Sequence, residues 1–205
     1  MEKYKNVLFN PFEKVAGFKA LASGITIIIL TGIAGYFADI NFDGVLDAHF
    51  LLRELSFASH LAEGIVNWLC LSIFLLITGL IFSKTKFRII DVFGTQALAR
   101  WPMLITAILA LVLPVSPELI SQYILWKTMG IGEEVVPGTA EIIVLTLFII
   151  ISVALSVLMA VLMYKAYSVS FNIKKFKGII SFLAALIFAE IVSKYLLVFV
   201  YKYLN

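Results

Sequence analysis

The chain has 205 residues, of which 62% are hydrophobic and 14% are charged, and its mean hydropathy is +1.04. Soluble domains contain about 45–50% apolar and about 25% charged residues, so this composition excludes an ordinary soluble domain and indicates an integral membrane protein. The net charge of +3 is small, and a single cysteine, Cys70, excludes an intrachain disulfide and a cysteine-based metal motif.

The first 19 residues precede the first apolar run and form the predicted cytoplasmic segment of the chain. This segment lacks the basic start, short apolar run and small-residue cleavage site of a signal peptide, which predicts that the first apolar run is retained as a membrane span. Asn10, Pro11 and Glu13 follow the order of a capping residue, a first-turn proline and a third-position glutamate. A helix is therefore expected to begin there, at the cytoplasmic interface.

Five apolar segments are long enough to cross a membrane, because a span needs about 20 mostly apolar residues. They predict one transmembrane domain over residues 20–201 and a tail at 202–205, with spans at 20–38, 65–82, 97–115, 142–164 and 178–201. Lys and Arg concentrate in the N-terminal segment and in the connections after the second and fourth spans. Cytoplasmic loops carry the excess of basic residues, so we expect an all-α bundle of five transmembrane helices, with the N-terminus cytoplasmic and the C-terminus on the opposite side.

The connection between the first two spans is acidic and contains both histidines of the chain. Its second half, Leu46–Leu61, is too polar to span a membrane and predicts a short interfacial helix. Carboxylates and imidazoles bind divalent metals, but the ligand spacing matches no recognised motif and a solvated loop face explains the same residues. The sequence therefore predicts no metal and no other cofactor, and the weak candidate metal set consists of Asp43, Asp47, His49, His60 and Glu63.

The connection between the second and third spans places basic residues beside an aromatic residue. Arginine next to tryptophan at the cytoplasmic end of a span is a common interface anchor, and a site for a lipid headgroup or phosphate is the alternative. Topology and anionic lipid account for the basic residues, so membrane lipids are expected as partners and nucleic acid is not. The residues of this candidate headgroup set are Lys84, Lys86, Arg88, Arg100 and Trp101.

Small residues recur every four positions on two of the predicted spans. Inside a membrane such stripes allow helices to approach each other closely, so they predict a compact bundle rather than separate anchors. The stripe on the fourth span consists of Ser152, Ser156 and Ala160, and the stripe on the fifth span consists of Ser181, Ala185, Ala189 and Ser193.

The fifth span contains a carboxylate, Glu190, which is followed one helical turn later by an ammonium, Lys194. A charge near the middle of a bilayer costs about 2.5 kcal/mol or more, so Glu190 is expected to be paired, protonated or exposed to water. A pair with Lys194, or a neutral Glu190 bonded to a neighbouring helix, gives it a structural role. A proton or ligand site between helices is the alternative, and the lack of a second acid within the predicted spans favours the structural role.

The stretch KTKFRIIDVFGTQALARWPML, residues 84–104, resembles the Yip family of multispanning membrane proteins, named for their interaction with Ypt and Rab GTPases. The residues that carry the resemblance are Asp91, Phe93, Gly94 and Pro102, and the connection between spans four and five is also similar. Thr95 stands where the family has proline, and the N-terminal segment is short, so the chain resembles a minimal bacterial member. The resemblance implies the five-span fold, a location in the inner membrane, and a role in binding partners or shaping membranes.

The chain contains no nucleophile elbow, metalloprotease motif or phosphate-binding glycine loop, so an enzyme is not expected. The leading interpretation is a non-enzymatic scaffold of the Yip type that binds a protein partner or a second copy of itself, or organises the membrane. A small transporter or channel-like protein using Glu190 is the first alternative, and a lipid-headgroup-binding protein is the second. Transport predicts polar residues on several spans that converge on one cavity.

Overall fold

A computed structural model describes residues 11–50, 55–114, 117–130, 132 and 137–204. About four fifths of these residues are helical, and five helices, one of them interrupted, are long and apolar enough to cross a membrane. The predicted number of long apolar helices is thus confirmed, and the architecture is typical of an integral membrane protein. The first ten residues of the predicted cytoplasmic segment and the last residue of the predicted tail lie outside the described residues.

The first half of the fold combines two long helices with a small β-ribbon. A 3-10 turn at Pro11–Glu13 precedes helix α1, Gly17–Phe37. Strand β1, Ile40–Asn41, pairs antiparallel with strand β2, His49–Phe50. Helix α2, Phe57–Phe82, follows this ribbon and is the second candidate span.

The second half of the fold is helical throughout its described residues. Helices α3, Ile89–Leu98, and α4, Trp101–Leu111, form the interrupted third candidate span. The shorter helix α5, Pro117–Met129, precedes the fourth candidate span, α6, Thr139–Phe171. The fifth candidate span is α7, Lys175–Leu204.

Two spans begin well before the residues at which the sequence predicts them. The second helix begins at Phe57 rather than residue 65, because the Ser56 side chain accepts a hydrogen bond from the backbone N–H of Ser59 and caps the helix. The third begins at Ile89 rather than residue 97 and is interrupted before Pro102, which lies in the first turn of α4. Proline lacks a backbone N–H and restricts the residue before it, which favours a break at that point.

The interfacial helix predicted over Leu46–Leu61 is wrong within the described residues. His49 and Phe50 belong to a strand, and helical structure starts only at Phe57. Residues 51–54 of the predicted helix lie outside the described residues. The polar residues that suggested a helix at the membrane surface belong instead to a hairpin between α1 and α2.

The helices differ greatly in how much of their surface is buried within the chain. The combined α3–α4 span is packed against α1 and α6, and 61% of its most apolar 18-residue stretch is buried. In α6 only 11% of the corresponding stretch is buried, and most of its fully buried residues, such as Met159 and Tyr167, lie in its second half. The first half of α6 therefore presents an apolar surface that the rest of the described chain does not cover.

Candidate functional site

The hairpin between α1 and α2 reaches the middle of α7. Its tip is held by Glu190, whose Oε2 accepts hydrogen bonds from the backbone N–H groups of Val45 at 2.7 Å and Leu46 at 3.3 Å. Glu190 lies near the midpoint of α7. At Gly44 an added Cβ would collide with the Glu190 carboxylate, so glycine permits the close approach of the hairpin tip to this helix.

Lys194 connects the same helix to the hairpin through a second contact. Its Nζ lies 2.7 Å from Oδ2 of Asp47 and 3.5 Å from Oε1 of Glu190. The contact between Glu190 and Lys194 that the sequence offered as one alternative is therefore present, but the closer partner of Lys194 is an acid of the hairpin. These ionic side chains are 28–44% exposed, so solvent screens the pairs and each one alone adds little stability.

Glu63 on α2 is the second acid that holds the hairpin. It is fully buried, and its two carboxylate oxygens accept hydrogen bonds from the backbone N–H of Phe42 at 2.9 Å and from the hydroxyl of Tyr201 at 2.6 Å. One turn further along α2, the side-chain amide of Asn67 donates to the Phe42 carbonyl at 2.5 Å. Both backbone groups of Phe42 are thus satisfied by side chains of a single helix.

The position of Glu63 overturns one argument drawn from the sequence. The spans predicted from the sequence leave Glu63 in the outer loop and Glu190 as the one acid within them. Because α2 begins at Phe57, Glu63 lies inside a candidate span and is 0% exposed. The described spans therefore contain two acids whose carboxylates face the same hairpin.

The structure brings together only some of the five residues of the weak candidate metal set. Asp43, Asp47 and His49 each place one donor atom within 4.8 Å of the others. His60 lies on α2 and is 3% exposed, with its ring 5.7 Å from that of Tyr36, and Glu63 faces the backbone of the hairpin. Three residues of the set are brought together, and the other two are placed elsewhere.

The charged groups of the hairpin shift the pKa values of its own side chains. The neighbouring Asp47 carboxylate raises the pKa of His49 above its ordinary range, and Asp43 adds to this effect. His49 and then Lys194 hold the pKa of Asp47 well below its usual range. The protonated imidazole and the ionised carboxylate thus stabilise each other.

Arg100 lies deep in the bundle rather than at an interface. It occupies the break between α3 and α4, about halfway along the third candidate span, and is 4% exposed. Its Nε and Nη2 atoms have no hydrogen-bond partner among the described residues, and it interacts electrostatically with Glu190. The prediction that Arg100 anchors the cytoplasmic interface assumed that the span starts at residue 97, and the helix instead starts at Ile89.

The remaining residues of the candidate headgroup set do not converge with Arg100. The side chains of Lys84, Lys86 and Arg88 are exposed in the turn before α3, where Arg88 lies 3.6 Å from Asp91. Trp101 is partly buried at the start of α4. The exposed turn could meet lipid headgroups, but the buried arginine is separate from it.

The residues that carry the family resemblance position α3 against its neighbours. A Cβ at Gly94 would lie 2.8 Å from the carbonyl oxygen of Gly17, so glycine here allows α3 and α1 to approach closely. The carbonyl of Phe93 accepts a hydrogen bond from the indole of Trp68 on α2 at 2.9 Å. Asp91 faces Arg88 at the start of the helix, and Pro102 is buried in the first turn of α4.

The two stripes of small residues have different surroundings. Each residue of the α7 stripe is at most 3% exposed, on a helix that packs closely along α2; these residues are Ser181, Ala185, Ala189 and Ser193. The α6 stripe instead lines an open apolar groove of about 960 Å³ between α6 and α7; its residues are Ser152, Ser156 and Ala160. The hairpin borders this groove, with the ring of Phe50 5.6 Å from that of Phe148.

Comparisons with protein family models, with curated proteins and with solved structures find no match to this chain.

Proposed function

We propose that the chain is a non-enzymatic membrane scaffold of the Yip type that organises the membrane by associating with a second copy of itself through α6. In this proposal the five spans are inserted in the inner membrane of a bacterium, with the N-terminus cytoplasmic and the C-terminus outside. The distribution of Lys and Arg supports this orientation, and the stretch at residues 84–104 supports the family.

The groove beside the α6 stripe is the observation that carries the self-association. Ser152, Ser156 and Ala160 line this groove. Small residues at this spacing allow the backbones of two helices to approach closely, which is the main source of helix association where lipid surrounds both partners.

A second copy of the chain meets these requirements with no other component. The first half of α6 is apolar and largely uncovered, so α6 of one copy can lie in the groove of the other. The same contact then repeats in the opposite direction around a two-fold axis, which closes the assembly as a dimer. Phospholipid chains are the competing occupant of the groove, because any apolar groove in a bilayer is open to them.

Cysteine cross-linking in native membranes tests this arrangement. Cys70 is the single cysteine and is buried, so a Cys70→Ala background leaves no other thiol. Ser156→Cys places a thiol in the groove, and Ile150→Cys places one on α6 at a 59% exposed position that does not line it. We expect oxidation to give disulfide-linked dimers for Ser156→Cys and far fewer for Ile150→Cys.

Equal cross-linking of the two variants would indicate random collision and contradict the proposed interface. A chain that stays single while retaining phospholipid in the groove would favour the lipid-binding alternative instead.

The convergence of ionic residues favours a second candidate function, the transport of protons or cations. Glu63, Arg100, Glu190 and Lys194 come from three candidate spans, and Glu190 interacts with both Arg100 and Lys194. This is the convergence on which the transport interpretation depends. Proton or cation flux into liposomes that is present in the parent and lost in Glu63→Gln and Glu190→Gln would support it, and a parent without flux under either gradient would exclude it.

A further inference from the structure

One face of the hairpin carries four polar side chains. The register of β1 and β2 places Asn41 opposite His49. Asp43 and Asp47 lie two residues beyond this pair toward the tip, and one donor atom of each lies within 4.8 Å of the other and of a ring nitrogen of His49. Because residues two apart on an extended chain lie on the same side, these four side chains share one face of the hairpin.

The donor atoms on this face are spaced as the ligands of a shared ion would be. His49 Nδ1 lies 3.6 Å from Oδ1 of Asp43 and 3.9 Å from Oδ1 of Asp47. Both distances exceed the hydrogen-bond range of about 2.7–3.2 Å. Ligand atoms that surround a Zn²⁺ ion at about 2.0–2.2 Å lie about 3.3–3.8 Å from one another in tetrahedral or trigonal geometry, which is close to the observed spacing.

Asn41 supplies an independent observation at the same place. Its side chain is 2% exposed, and its Oδ1 is buried without a hydrogen-bond partner among the described residues. A buried amide oxygen without a partner is unfavourable, so its presence calls for an explanation. The register directs this side chain to the face that carries His49, where a bound cation would give the oxygen a partner.

The charges around the hairpin leave room for a cation. Asp43, Asp47 and Glu190 provide three carboxylates, and Lys194 is the one ammonium that contacts them among the described residues. Lys194 contacts Oδ2 of Asp47, so Oδ1 of the same carboxylate stays directed toward His49. Ligation by His49 requires the loss of its proton, so a divalent ion would replace that positive charge beside the two aspartates without displacing the ammonium.

We propose that Asn41, Asp43, Asp47 and His49 form a binding site for a divalent transition-metal cation on one face of the hairpin. An imidazole combined with carboxylates favours Zn²⁺ over Ca²⁺ and Mg²⁺, which prefer oxygen ligands alone. The aspartates and His49 are partly exposed, so water can complete the coordination. Asp47 and His49 also line the groove beside α6, but binding of an ion by the hairpin does not require the proposed self-association.

Titration of the purified full chain with Zn²⁺ after treatment with a chelator tests the site. We expect one ion per chain and at least a tenfold loss of affinity in Asp43→Asn and in His49→Ala. Asp91→Asn, a matched change at the start of α3 and away from the hairpin, should bind as the parent does. Co²⁺ in place of Zn²⁺ should give visible absorption bands in the parent that His49→Ala lacks.

A gain-of-function variant separates loss of the site from loss of folding. Asn41→Asp replaces the amide oxygen by a carboxylate oxygen of similar position, so we expect it to bind Zn²⁺ more tightly than the parent. Zn²⁺ should also raise the melting temperature of the parent and leave that of a cooperatively melting Asp43→Asn unchanged. No binding by the parent at millimolar Zn²⁺, or equal binding by the parent and the Asp43 and His49 variants, would overturn the proposal.

Discussion

The carboxylate of Glu190 accepts a hydrogen bond from the backbone N–H of Val45 at 2.7 Å, although 145 residues separate the two positions. The first connection of the chain is thereby tied to the middle of its last helix. Glu63 and Asn67 hold the same hairpin from α2 through the backbone of Phe42. The hairpin is thus a structural part of the bundle, because the buried polar groups of both helices find their partners in its backbone.

Glu190→Leu should destabilise the purified protein, because the N–H groups of Val45 and Leu46 would lose their acceptor. Leaving a buried donor unsatisfied costs about 1–3 kcal/mol, and thermal unfolding in detergent would measure the loss. Glu190→Gln keeps an acceptor oxygen and should cost less. The sequence alone would suggest that this change leaves Lys194 without a partner. The structure predicts that Lys194 keeps one, because Asp47 lies 2.7 Å from its ammonium group.

The exposed position Ile187 on the same helix provides the control for this series. Ile187→Leu should have the same melting temperature as the parent. A Glu190→Leu variant that also melts with the parent would show that the hairpin does not depend on this carboxylate.

Ala189→Leu should destabilise the protein by overpacking the contact between α7 and α2. Ala189 is 0% exposed, and inserting larger side chains into a packed interface costs about 1–3 kcal/mol. Ala184→Leu, on a partly exposed part of α7, should cost less. Chemical unfolding of the two variants would compare them, and equal stabilities would remove the close-packing role of the stripe.

The stability that His49 contributes should depend on pH in a defined direction. Because Asp47 and Asp43 raise the pKa of His49, its contribution is fully present below its ordinary value of about 6.5 and is lost as the pH rises through the higher folded value. The lowered pKa of Asp47 sets the acid limit, since its contribution is lost as the pH falls below about 4. Between these two pH limits, the melting temperature of the parent should exceed that of His49→Gln by the largest amount.

Melting of both proteins in the presence of a chelator, from about pH 4 to about pH 9, would measure this margin. It should narrow as the solution becomes alkaline. If the difference in melting temperature increased with rising pH, its pH dependence would be opposite to the expected one, and the charged imidazole would be excluded as its source.

The sequence predicts the helical framework well because each span is a long apolar run. The spans at α1 and α7 fall close to their predicted positions, and α6 contains its predicted span but continues to Phe171, since apolar length alone defines these spans. The start of α2 was missed because Glu63 and His60 made its first turns look too polar to enter the bundle. Their burial depends on partners elsewhere in the chain, namely Phe42, Tyr201 and Tyr36, which no local pattern can identify.

The hairpin carries a local sequence signal, although the polarity of the segment predicts a loop and an interfacial helix. Polar residues alternate with apolar ones in the stretch from Asn41 to His49, and Gly44 lies near its centre. Alternation of this kind around a glycine is typical of two short paired strands. Its contact with Glu190 is different, because a hydrogen bond across 145 residues has no signature in a single sequence.

Labelling of single cysteines from outside the cell should give the orientation of the chain. In the Cys70→Ala background, Gln122→Cys on the acidic side should react with an impermeant thiol reagent, and Thr85→Cys in the basic turn should not. Both positions are exposed, so a difference in reactivity reports on sidedness rather than on burial. The opposite pattern would reverse the orientation derived from the basic residues.

Counting the copies of the chain in single liposomes tests the proposed self-association most directly. With one fluorophore per chain and a low density of protein, the fluorescence of most occupied liposomes should disappear in two bleaching steps, which indicates two copies of the chain. Ser156→Leu, which fills the groove beside α6, should shift the population to one step, whereas Ile150→Leu should leave it unchanged. One-step bleaching of the parent at every protein density, or two steps that persist in Ser156→Leu, would contradict association through this helix.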